Sequence, residues 1–208
     1  MQEPKPETRA GLFLVVDGVD GCGKTTQAAR LADALGVEPA LRLREPGSTA
    51  LGEGLRALLL ARELRIEPAV ETLLFAAARR QMLDELVAPA LAAGKTVVCE
   101  RFHPSTYAYQ AVAGELDEDA VLALLQEWAG APAPDRLLLL DVDVAEAARR
   151  RGAATDRIED KGLAFQRRVA EGYRRYAARE PRAVLIDGGG TPDEVHERIL
   201  REVARVHA

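Results

Sequence analysis

Gly18-Val19-Asp20-Gly21-Cys22-Gly23-Lys24-Thr25 is the stretch whose reading decides the fold. It matches G-x-x-x-x-G-K-[ST], a loop whose backbone N–H groups cradle phosphates. Its flanks have the required form. Residues 12–16, Leu-Phe-Leu-Val-Val, are apolar and β-branched enough for a buried parallel strand. Residues 25–35 read as a helix closed by Gly36. Glycines at 18, 21 and 23 permit backbone angles that turn main-chain N–H groups toward an anion, and the helix N-terminus behind them adds its positive dipole end. A chance glycine-rich turn would lack those flanks. Gly18, Val19, Asp20, Gly21, Cys22, Gly23, Lys24, Thr25 and Thr26 are therefore the expected ATP-binding residues. Lys24 reaches the outer phosphates, and the Thr25 hydroxyl is a ligand for Mg²⁺. The motif gives a triphosphate and a metal but not the acceptor.

Composition narrows the rest. A chain of 208 residues with 48% hydrophobic and 29% charged residues predicts one soluble α/β domain with ample core. A net charge of −5 gives no support for a nucleic-acid partner held by charge. Cys22 and Cys99 make a disulfide framework an unfavoured reading and fit a reducing cytoplasm. No apolar run approaches the ~20 residues of a membrane span. Residues 1–10 are polar, carry two prolines and have no apolar signal-peptide segment, so they read as a flexible tail before a single domain at 11–208.

Further strands are expected at 40–44, 96–99, 137–140 and 183–187. Ser48 or Thr49 is placed to cap a helix at 51–61. Residues 67–93 read as a long helix, kinked or split at Pro89, with Val70, Leu73, Leu74 and Ala77 on its core face. Phe75 and Arg79 lie one turn apart on that helix, which alone is as consistent with packing as with a ligand platform. The strand at 96–99 delivers Glu100-Arg101, an acid placed to hold Mg²⁺ or its water beside a phosphate-binding cation. Asp141, after Leu137 to Leu140, is the rival acid. Residues 103–113 carry Ser105, Thr106, Tyr107, Tyr109 and Gln110, either a recognition surface or an exposed polar helix face. Leu122, Leu125 and Trp128 recur at helical spacing within 117–130. Arginines 149, 150, 151 and 157, separated by Gly152, Ala153, Ala154, Thr155 and Asp156, read as a lid at about 149–160 that folds over phosphates.

In this order the pieces resemble the thymidylate kinases, within the nucleoside monophosphate kinases. The resemblance rests on the phosphate loop, on Arg44-Glu45-Pro46-Gly47-Ser48-Thr49, on Leu73-Leu74-Phe75 with Arg79, on Glu100-Arg101 with Tyr109-Gln110, and on Asp156-Arg157-Ile158-Glu159. It implies a P-loop NTPase three-layer sandwich, with a five-stranded parallel sheet flanked by helices and a short lid. It implies phosphorylation of dTMP by ATP·Mg²⁺, and a homodimer. It implies that Phe75 stacks on thymine and Arg79 bonds its carbonyl edge, with Thr106 and Gln110 reading the rest. Tyr109 would crowd the 2′ position, Asp20 would meet the 3′-hydroxyl, and Arg44 and Arg101 would hold the acceptor phosphate. Thr25 and Glu100 would serve the metal. The loop itself has no arginine, so the catalytic cations are expected to be Lys24, Arg101 and, from the lid, Arg149 and Arg157. The chain departs from the family pattern at Phe102, Pro104, Ala78, Arg80 and Ser48, and in having Glu100 for the usual Asp. A kinase for another nucleotide or nucleoside, or a P-loop ATP-binding switch, are the alternative readings.

Overall fold

The five expected strands all form, and they are parallel because helical connections return the chain to the same end each time. The computed structural model describes residues 11–35, 40–152 and 157–206. The expected tail at 1–10, the helix stop at Gly36 and lid residues 153–156, Asp156 among them, lie outside the described residues. The strands are β1 (Phe13–Gly18), β2 (Leu41–Arg44), β3 (Val97–Glu100), β4 (Arg136–Asp141) and β5 (Ala183–Asp187). They form one parallel sheet in the order β2-β3-β1-β4-β5. Every β1 residue is buried, as expected of a central strand covered on both faces. From β1 the chain winds to one side and then, at β4, to the other. That reversal puts the crevice at the carboxyl end of β1, where ligands bind in open α/β sheets. Register fixes what meets there: Val16 and Arg44 both lie opposite Glu100, and Gly18 lies opposite Leu140.

Helices cover the sheet: α1 (Lys24–Ala34), α2 (Ala50–Leu60), α3 (Pro68–Met82), α4 (Ala88–Ala92), α5 (His103–Thr106), α6 (Glu118–Ala129), α7 (Val144–Arg151), α8 (Gly162–Arg179) and α9 (Pro192–Ala204). The Thr49 hydroxyl caps α2 by accepting from Gly52 N at 3.0 Å, which settles the choice between Ser48 and Thr49. Thr191 and Glu194 form a capping box on α9. The long stretch after Glu67 breaks before Pro89: a π-helical turn, Leu83–Val87, separates α3 from α4. A second π turn, Tyr107–Val112, follows α5 and packs against α8 at the polar segment read from the sequence.

One expectation is overturned on α3. Val70 and Leu73 are 48% and 57% exposed, Ala77 is exposed and Leu74 is only partly covered. The inward face carries Glu71, Thr72, Ala76, Ala78, Arg79 and Met82 instead. The helix packs between α2 and α6, and its polar face is turned in because that face lines a cavity. Trp128 on α6, expected at a recurring apolar position, is 66% exposed. The sheet's core is built from residues such as Phe13, Leu31, Leu83, Val97, Leu125 and Leu138. Phe13 meets Phe102 edge-on at 5.4 Å between ring centres, tying the core to the floor of the site.

Candidate active site

Asp17 closes β1 and holds the floor. Its buried carboxylate accepts from Gly18 N, from the N–H and hydroxyl of Ser105, from Phe102 N and from the Tyr173 hydroxyl, all between 2.8 and 3.1 Å. Strand β1, Phe102 with the following helix α5, and helix α8 therefore meet on one side chain. The phosphate loop rises from this floor. Gly21 has φ 88°, and a Cβ there would stand 2.0 Å from the Ala147 carbonyl oxygen, so only glycine fits against α7. Gly23, at φ 97°, leads into α1, which starts at Lys24.

Lys24 Nζ lies 3.0 Å from Asp20 Oδ1 and donates to Val19 O at 3.3 Å. Arg101 pairs with the same Asp20 oxygen, and the Tyr109 hydroxyl donates to its other oxygen at 2.7 Å. Burial opposes the charge on Asp20, but Arg101 and Lys24, helped by Tyr109, outweigh it and hold the carboxyl well below the usual range. Partial burial of Arg101 works against its charge, yet Asp20 raises it well above its ordinary value. Arg101 adopts φ 68°, a left-handed conformation that costs a side-chain-bearing residue about 1–2 kcal/mol.

Three cavities converge here. The first is lined by Gly21, Cys22, Gly23, Lys24, Thr25, Thr26, Arg149 and Arg150 and reaches the Gly188–Gly190 turn. Arg149 and Arg150 both pair with Glu146 at 2.8 Å, so α7 presents two cations at its rim. The second is polar, lined by Asp20, Lys24, Thr25, Arg44, Arg56, Glu100 and Arg101. In it Thr25 Oγ1 donates to Glu100 Oε1 at 2.8 Å. Two oxygen donors so placed fit Mg²⁺, which binds few protein groups and completes its shell with phosphate and water. The rival acid Asp141 is engaged elsewhere, bonded to Arg174 at 2.9 and 3.0 Å.

The third cavity is lined by Asp20, Glu45, Arg56, Phe75, Arg79, Arg101, Ser105, Thr106, Tyr109 and Gln110. Asp20, Glu45, Arg56 and Arg101 belong to both this cavity and the polar one, so the two share a wall. Arg79 is 1% exposed. Its Nε and Nη2 meet Glu45 Oε2 at 2.7 and 2.6 Å, Nη2 also donates to Thr106 at 3.1 Å, and its guanidinium carbon stands 4.9 Å from the centre of the Phe102 ring. Arg79 Nη1 and Glu45 Oε1 are buried without a partner. Burial pushes Glu45 up to about 7 against the pull of Arg79. Arg44 lies at the rim, paired with Glu53 at 3.3 Å. Ser48, where the family pattern has glycine, does adopt φ 69°, and its hydroxyl accepts from Arg44 N at 2.9 Å and donates to Arg44 O at 3.1 Å.

Most of the expected site residues thus come together, with one displacement. Arg157, expected from the lid to serve ATP, stands next to the third cavity, which its neighbour Ile158 lines. It pairs with Glu71 at 2.6 Å and donates to Leu59 O at 2.8 Å. Glu71 draws it there. Asp17, Glu45, Arg56 and Glu71 were not singled out by the sequence reading. Signals for three existed: Asp17 ends an apolar strand as Glu100 does, Glu45 sits inside a quoted motif, and Glu71 shares a helix face with Phe75 and Arg79. Arg56 is one arginine in an ordinary amphipathic helix and carries no such signal.

Comparison with known proteins agrees with this geometry. Residues 16–199 match the family profile described as Thymidylate kinase. The chain is 42% identical over 191 residues to the thymidylate kinase of Synechococcus sp. (strain JA-3-3Ab), covering 90% of this chain and 93% of that one. It is 42% identical over 217 residues to that of Rhodopseudomonas palustris, covering 98% and 94%. A crystal structure of thymidylate kinase from Ehrlichia chaffeensis superposes with a TM-score of 0.71 at 31% identity, over 93% of this chain and 98% of the other. A phosphate loop, a metal-competent Thr–Glu pair and an aromatic-and-arginine cavity sharing one wall, in a chain with these relatives, make it a member of the thymidylate kinase family.

Proposed function

We propose that the cavities divide one reaction between them, with ATP on the phosphate loop and dTMP in the Phe75–Arg79 cavity. Thymidylate kinases transfer the γ-phosphoryl of ATP to dTMP, giving dTDP and ADP. The acceptor phosphate is already an anion, so little base catalysis is needed. The rate comes from alignment and from neutralising charge on the transferring group. Arg101 and Arg56 line the shared wall, which supports them as the clamp on the acceptor phosphate, with Arg44 at the rim. Lys24 serves the outer phosphates of ATP. Arg149, at the donor rim, is the lid cation best placed to neutralise the moving phosphoryl. Arg157, held by Glu71, serves the acceptor side in this conformation. Mg²⁺ on Thr25 and Glu100 would supply further neutralisation between donor and acceptor.

The observation that carries the reading is the unpartnered Nη1 of Arg79, in a cavity that Arg79 lines together with Gln110 and Phe75. A buried donor sharing a cavity with an amide suits the C=O and N–H edge of a thymine ring. Tyr109, fixed on Asp20, stands beside the same cavity and is placed to press on a ribose 2′-hydroxyl. An ADP-release assay with dTMP, dUMP, dGMP and thymidine tests it. Turnover highest with dTMP is expected, and ATP consumption indifferent to the added nucleotide would overturn it.

A homodimer is supported by the exposed stripe Val70 and Leu73 on α3, flanked by Leu51 and Leu58 of α2 and by Trp128 of α6. Two buried free thiols, Cys22 and Cys99, favour a reducing cytoplasm. Among the described residues no helix is long and apolar enough to cross a membrane.

A further inference from the structure

Glu71 is an acid with no accessible surface, in the first turn of α3, and its part in the reaction above is limited to holding Arg157. Its two oxygens are divided. Oε2 accepts from the Gln110 side-chain Nε2 at 2.8 Å. Oε1 takes Arg157 Nη1 at 2.6 Å and lies 3.6 Å from Lys161 Nζ. An ionised carboxylate only accepts hydrogen bonds. A glutamine amide has one donating and one accepting end, and its orientation is set by its partners. Arg157 and Lys161 occupy the other oxygen of Glu71, and the end of Gln110 that meets Oε2 is the NH₂. The carbonyl Oε1 is then the end left for the cavity, which Gln110 helps to line.

We propose that Glu71 is a positioning residue for base selection: it fixes the Gln110 amide so that an acceptor, not a donor, faces the bound ring. This rests on the assignment of the cavity to the acceptor base. In the same cavity lining, Arg79 carries Nη1, a buried donor with no partner in the protein. Lining the same cavity, the two residues offer it one donor and one acceptor. A ring with adjacent C=O and N–H, as in thymine or uracil, satisfies both. Cytosine offers an amino group and a bare ring nitrogen at the same two places, so donor meets donor and acceptor meets acceptor. If Gln110 turned over, half of that mismatch would become a match. Glu71 prevents the turn. Because its other oxygen holds Arg157 and lies near Lys161, residues 157–161 help to keep it in place.

The test compares kcat/KM for dTMP and dCMP in wild type, Glu71→Gln, Gln110→Met and the double variant. Glutamine at 71 has no fixed accepting end, so Gln110 is free to turn. Loosening Arg157 affects both substrates alike and cancels in the ratio. The dTMP:dCMP ratio is expected to fall about tenfold or more in Glu71→Gln, as for a buried hydrogen bond changed from mismatched to matched. In the Gln110→Met background the same change is expected to leave the ratio where Gln110→Met put it. A wild-type ratio retained in Glu71→Gln, or a further fall in the double variant, overturns the proposal. Wild type that turns over no dTMP overturns the functional reading instead. Should Glu71→Gln not fold, wild-type crystals with dTMP decide: Gln110 bridging Glu71 and ring N3 is expected, and Gln110 swung off Glu71 overturns it.

Discussion

Replacing Arg79 by methionine keeps bulk and removes charge, and the structure says what should happen to Glu45. In the wild type Glu45 Oε2 takes both Nε and Nη2 of Arg79, while burial already lifts the carboxyl from its ordinary 4.5 to about 7. Without Arg79, only burial and the charge of Asp17 act on it, and both raise the carboxyl further. Stranding a buried ion-pair partner costs about 3–5 kcal/mol. For a domain of this size that lowers Tm by about 6–20 °C. The cost depends on pH with a definite sign. A carboxyl whose folded value lies above its unfolded value binds a proton only in the folded chain between the two, so stability falls as pH rises through that window. In wild type this group's loss runs from about 4.5 to about 7 and then stops. In Arg79→Met it continues above 7, at up to about 1.4 kcal/mol per pH unit. Urea unfolding at pH 7, 8 and 9, followed by circular dichroism, should show the gap to wild type widening with pH. Adding Glu45→Gln should close most of the gap and flatten it. A gap constant from pH 7 to 9, or a double variant no more stable than Arg79→Met, would refute the reasoning.

Arg149→Ala is expected to lower kcat about 10³-fold with the KM for dTMP changed only a few-fold, because Arg149 stands at the donor rim; intact turnover in steady-state assays would remove it from that role. His103 is buried, stacks on Phe102 and donates through Nε2 to Ala129 O at 2.8 Å; burial, aided by Arg79, drops it from the ordinary 6.5 to about 3. The unfolded chain thus binds the extra proton, and stability falls as pH drops below 6.5. Between pH 7 and 5 the wild type should lose about 2 kcal/mol more than His103→Phe, measured by denaturant unfolding. Leu73→Glu puts a charge in the exposed α3 stripe; it is expected to shift the protein from dimer to monomer in sedimentation velocity, and an unchanged sedimentation coefficient would count against that face.

The fold was legible because its signals are local. Four strands are short, mostly apolar runs, β2 alternates leucine with arginine, and the glycine loop allows one local geometry. All five strands lie within a residue or two of where the sequence places them. Which face of α3 turns inward was not legible. Hydrophobicity pointed to Val70, Leu73, Leu74 and Ala77, but the inner face lines a polar cavity, and only the tertiary arrangement says that Glu71 and Arg79 find partners there. The same limit applies to Arg157. Its place in a basic loop suggested phosphate, whereas Glu71, 86 positions away, holds it in the structure.

Asp17 has a consequence for how such a protein tolerates change. Because one carboxylate gathers donors from β1, from Phe102 with α5, and from α8, the ground under both nucleotides is pinned independently of the groups that touch them. Rim positions such as Ser48 can drift from the family's usual residue while the spacing between donor and acceptor stays put. Losing the single acid beneath would unfasten everything at once.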